Sequence, residues 1–134
     1  MATSKESRQT TIHVDDVSSA IEYCYEVGWT DGLPVVPPTV ELVDAMLEAI
    51  QMDPFTVIGE HVTTRRSCTA HAAAVNAVMA GCLPAHFPIV IAAMKAMSKT
   101  GFNYHGSTAS TGGSGHLIVV SGPITDEIGM NATG

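Results

Sequence analysis

From Ser67 to Thr125 the only formally charged side chains are Lys95 and Lys99. A domain of 14.0 kDa leaves much of its surface in water, and such surface is ordinarily rich in charge. A stretch this neutral is therefore expected to be covered by another polypeptide or by a second copy of the chain. The competing reading is a neutral surface of Ser, Thr, Gly and Ala around positions 107 to 115.

The 134 residues fit one domain, 46% of them hydrophobic and only 14% charged, a composition that excludes disorder. Six Lys and Arg against thirteen Asp and Glu give a net charge of -7 without a basic stripe, which excludes a nucleic-acid binder resting on phosphate contacts. No apolar run is long enough to span a bilayer, and the region Ile89 to Met97 is already interrupted by Lys95. The polar start of the chain lacks the features of a secretory signal, and residues 1–12 are expected to be a flexible N-terminus. Cys24, Cys68 and Cys82 are odd in number and irregular in spacing, so they are read as thiols of a cytoplasmic protein.

Local signals predict an α/β fold that is rich in helix. Asp15 or Asp16 caps a first helix with Val17, Ala20, Ile21, Cys24 and Val27 on its apolar face, ended by Gly28. Three prolines stiffen the segment from Trp29 to Thr39. Thr39 caps a second helix with Val40, Val43, Leu47 and Ile50 on one face and Glu41, Asp44 and Glu48 on the other, stopping near Asp53-Pro54. Residues 55–62 read as a strand, 69–81 as an alanine-rich helix, and 88–99 as a helix with proline in its first turn. A Gly/Ser/Thr loop over 106–115 precedes a buried strand at Leu117 to Ser121 and a short helical turn after Gly122-Pro123. Two strands alone are marginal. The small sheet is therefore expected to be completed by a second chain or a further segment, with residues 1–134 forming a single domain that is the N-terminal part or one subunit of a larger fold. A proteolytic cut after Gly134 is one route to such a second chain.

The blocks Gly28-Trp-Thr-Asp-Gly-Leu-Pro-Val-Val-Pro-Pro-Thr39, Asn76-Ala-Val-Met-Ala-Gly-Cys-Leu-Pro84, Asn103-Tyr-His-Gly106 and Val120-Ser-Gly-Pro-Ile124 span most of the chain. In them the sequence resembles the N-terminal part of a family of poorly characterised bacterial proteins. Members of that family are longer, and some are encoded beside a protein bearing a selenocysteine- or cysteine-Gly-Ser-Cys motif. The resemblance implies a multi-part enzyme system with thiol or selenol chemistry, although this sequence contains no Gly-Ser-Cys. Cys68, His71 and His86 depart from the family pattern, which puts a shared site at those positions in doubt.

Several residues carry chemistry by type and position. His105, between Tyr104 and Gly106, is the leading catalytic candidate because imidazole moves protons near neutral pH. Cys82 is the candidate nucleophile beside it, although its place at a helix C-terminus disfavours the thiolate. Asp31 is an acidic candidate held in a stiff turn, where Asp-Gly is also simply a good turn pair. Ser107, Thr108, Thr111, Gly112, Gly113 and His116 belong to a loop whose hydroxyls and backbone N–H groups can hold an anion. Arg65 and Arg66 can grip a carboxylate or phosphate. No nucleotide motif is present, because the Gly/Ser/Thr loop precedes its strand and lacks a Gly-Lys-Ser/Thr ending.

Cys68, His71, Cys82 and His86 have metal-ligand character. Cys68 and Cys82 nevertheless lie at opposite ends of one helix, about 20 Å apart at the α-helical rise, too far for one ion. Cys68 with His71 is the weaker metal alternative, and a metal cofactor is not favoured. Three classes of function follow. The leading one is a subunit of a hetero-oligomeric enzyme that acts on a small anionic molecule at an inter-subunit site through His and Cys chemistry, as a lyase, hydrolase or thiol-linked redox enzyme. The others are a structural partner of a redox subunit and a metal-binding protein.

Overall fold

The computed structural model describes residues 10–61 and 63–131. Most of the segment expected to be flexible, and Gly134 with its expected cut, lie outside the described residues. Six helices occur among the described residues: α1 (Val17–Glu26), α2 (Val40–Ile50), α3 (Ala70–Met79), α4 (Phe87–Met97), α5 (Tyr104–Thr108) and α6 (Ile124–Glu127). Strands β1 (Val57–Glu60) and β2 (Ser67–Thr69) form one antiparallel pair between α2 and α3. The architecture is thus helix-rich with a small two-stranded sheet.

Helix starts follow side-chain chemistry. Asp16, Thr39 and Thr69 sit in extended backbone and accept hydrogen bonds from the N–H groups of Ser19, Leu42 and Ala72, each satisfying a first-turn donor that has no helical partner. Gly28 and Gly81, at φ 73° and 78°, close α1 and α3. There Trp29 N–H donates to Cys24 C=O and Cys82 N–H to Ala77 C=O, the long bonds of a Schellman ending. α2 ends at Ile50, short of the expected Asp53-Pro54, because Gln51 already adopts the left-handed conformation at φ 48°.

The core lies between α2, α3, α4 and the hairpin. Val43, Met46 and Leu47 meet Ala70, Ala73, Ala74, Ala77 and Val78, with Ile58, Phe87 and Ile91 closing the cluster. The alanines of α3 allow α2 to approach closely, and the fully buried ring of Phe87 fills the volume they leave. Cys24 is buried outside this cluster, and α1, α5 and α6 contribute nothing to it.

Three expectations are corrected. The partner of β1 is Ser67–Thr69, a segment the sequence divides between the polar end of the 55–62 strand and the start of the 69–81 helix. Leu117 to Ser121 is not a buried strand: the run has no strand beside it, and Leu117 and Val119 are 89% and 81% exposed. A strand needs a neighbouring ladder for its N–H and C=O groups, and within the described residues this apolar run finds none. The 106–115 loop is also not wholly irregular, since α5 occupies its beginning.

The hairpin meets α4 at Gly59. A Cβ there would land on the Ser98 hydroxyl, which donates to Met94 C=O at 2.8 Å. Gly59→Ala is expected to destabilise the fold by about 1–3 kcal/mol through overpacking, and Ser98→Ala in the same chain is expected to restore part of that loss. Urea unfolding of the single and double variants checks both; a single variant as stable as the parent would contradict the close approach.

Candidate functional site

A cleft of about 380 Å³ opens between the hairpin and α4, with Tyr104 of α5 at its side. Gly59 supplies no side chain to fill it, and Cys68, which pairs with Gly59 in register, lies on its wall with Met94 and Met97. Glu60, His61, Thr64 and Arg66 line the end where β1 turns into β2. The turn is tied by backbone bonds from His61 N–H to Arg66 C=O and from Arg65 N–H to His61 C=O, at 2.9 and 2.8 Å. Arg65 takes a left-handed conformation and pairs with Glu60 at 3.1 Å, an exposed ion pair of little weight in stability. Among the described residues this is the only ion pair, so Arg66 brings an uncompensated cation to the cleft.

Imidazoles gather at this end. His61 lies edge-on to Tyr104 and to His105, each at 5.6 Å between ring centroids. Tyr104 is 6.1 Å from His116, which stacks on Phe102 at 5.6 Å. Thr64 N–H donates to His61 Nδ1 at 3.1 Å, which assigns the neutral ring its proton on Nε2. His61 can therefore offer an N–H donor without giving up the bond that holds the turn. His105 is exposed in α5 rather than in an irregular loop.

The loop residues are placed less favourably for holding an anion. Ser107 and Thr108 both donate their hydroxyls to Tyr104 C=O, at 2.9 and 3.1 Å, while Ser107 Oγ also lies 3.4 Å from His116 Nε2. Thr111, Gly112 and Gly113 are exposed, with Gly112 N–H bonded to Ser110 Oγ at 3.0 Å. Cys82 does not join the group: it packs against the core cluster beyond α3, and among the described residues no hydrogen bond links it to His105. Asp31 lines a separate, shallow cleft with Trp29 and Asn76.

His71 is half-buried in the first turn of α3, and its N–H donates to Pro54 C=O. His86 Nδ1 accepts from Leu83 N–H at 3.0 Å in a 3-10 turn. Among the described residues no three His, Cys, Asp or Glu side chains converge on a metal position. His61 does not stand out in the sequence by residue type alone. Its signal is an imidazole at the end of a strand, followed by a polar Thr-Thr-Arg-Arg turn that returns the chain to Cys68.

Burial pushes the Cys68 thiol above its ordinary value of 9.0, so at neutral pH it is a thiol, a weak nucleophile lining an apolar wall. Iodoacetamide at pH 8 is expected to label Cys68 several-fold more slowly in the folded protein than in urea, as read by peptide mass spectrometry. Equal rates in the two states would contradict the burial.

The chain matches no protein-family model, and no curated protein and no solved structure is significantly similar to it.

Proposed function

We propose that this chain is one subunit of a multi-chain enzyme, and that the cleft beside His61, Tyr104 and His105 takes a small anionic molecule at a face closed by a second polypeptide. The observation that carries the reading is that unpaired Arg66 lines one cleft with His61 and Tyr104, and that His105 packs edge-on against His61. A guanidinium fixes a carboxylate or phosphate by paired N–H donors, and adjacent imidazoles supply or take a proton at the group it positions. Cys68 and the methionines form the apolar wall against which the rest of the molecule lies. The exposed Leu117 to Val119 run and the charge-poor stretch around it support a covering chain. The resemblance to the bacterial family with the Gly28 to Thr39 and Asn76 to Pro84 blocks points to a multi-part system as well.

Imidazole resonances followed by NMR test the reading while inorganic phosphate and short-chain carboxylates are titrated into the full chain. Saturable shifts at His61 and His105, lost in Arg66→Gln, are expected. Shifts that are equal at His13, far along the sequence, or that survive Arg66→Gln would overturn the anion site.

A further inference from the structure

We infer that the exposed face of α1, continued by Trp29 and Leu33, is a docking surface for a basic, amphipathic segment of a partner protein. Cys24 is buried, while Val17, Ile21 and Tyr25 follow one another at four-residue spacing and stay exposed on the side of the helix that adjoins it. Val17 and Tyr25 are 68% and 57% exposed, and Leu33 is 72% exposed. An apolar stripe of this kind on a helix that adds nothing to the core is the pattern of a helix awaiting a partner.

The charge around the stripe selects the occupant. Between Arg8 and Arg65 the sequence contains no Lys or Arg, yet it carries ten Asp and Glu, among them Asp15, Asp16, Glu22, Glu26 and Asp31 on or beside α1. A second copy docked through the same face would bring two such fields together, and an anionic membrane or a nucleic acid would be repelled by either. A segment with Leu or Phe on one face and Lys or Arg beside it satisfies both the stripe and its acidic borders. This surface is separate from the histidine cleft, and the proposal does not depend on the activity assigned there.

Trp29 is the single tryptophan and sits half exposed in the segment that α1 runs into, so its fluorescence reports on binding at that end of the face. The test titrates the full chain with a short amphipathic Leu/Lys helical peptide and with the same peptide carrying Glu in place of Lys. A saturable change in Trp29 emission with the Lys peptide alone, weakened by salt, is expected. The variant Ile21→Ser with Tyr25→Ser, verified as folded by circular dichroism, is expected to bind about tenfold or more weakly. Three results would overturn the proposal: no saturable response to the Lys peptide or an equal one to both peptides, binding untouched by the double variant, or a homodimer in light scattering that the double variant abolishes.

Discussion

If the proposed function holds, replacing His105 by Gln is expected to lower turnover of the assembly about 10²–10⁴-fold, the usual contribution of a positioned acid or base. The assay uses the anion that the NMR titration selects. Gln keeps a polar side chain of similar reach but cannot exchange a proton near neutral pH. His105 is exposed in α5 and takes no part in the core, so the substitution is expected to change stability by less than about 0.5 kcal/mol. His61 is a less clean target because its Nδ1 also holds the Thr64 N–H in the hairpin turn. Removing it is expected to affect both rate and fold. A His105→Gln enzyme with full turnover would remove His105 from the chemistry.

The second large effect is structural. Phe87→Ala is expected to cost about 3–5 kcal/mol, measured as a loss of urea stability, because the ring is fully buried and its removal leaves a cavity in the core. Its surroundings in the core are the small alanines of α3 and residues already in contact with α2. Against the total stability of about 5–15 kcal/mol typical of a domain, such a loss leaves a large fraction of the chain unfolded in the less stable case. The same alanines that let α2 and α3 approach closely make the fold depend on one ring. A variant within about 1 kcal/mol of the parent would mean that the site repacks.

The first three helices were legible because each carries its own punctuation. Asp16, Thr39 and Thr69 are caps by chemistry, and Gly28 and Gly81 are stops by conformation, all within a few residues of the turns they satisfy. The hairpin was only half legible. Phe55 to Val62 is apolar and β-branched, but Ser67–Thr69 is short, polar and recognisable as a strand only once Gly59 and Cys68 are paired across the turn. The reverse error fell at Leu117 to Ser121, where strand propensity is high and no neighbour exists within the described residues to accept the strand. Propensity describes the side chains, whereas a strand is a property of a pair.

The candidate site divides in the same way. His105, Arg66 and His116 stand out by residue type, and the structure sets His105 against His61 and lines the cleft with Arg66. Cys82 looked equivalent in sequence, but the Schellman ending of α3 carries it onto the core instead. His61 was missed because its role comes from a turn that brings it to α5 across more than forty intervening residues.

The most direct test is native mass spectrometry of the protein isolated from the cells that make it, with accurate masses of every chain in the sample. A complex holding this chain and a second polypeptide in fixed ratio is the expected result, with residues near Leu117 to Val119 and the His61 cleft protected from hydrogen exchange relative to the isolated chain. A lone monomer, in which those residues exchange freely and the cleft nevertheless supports full turnover, would contradict the proposal that the site is shared between chains.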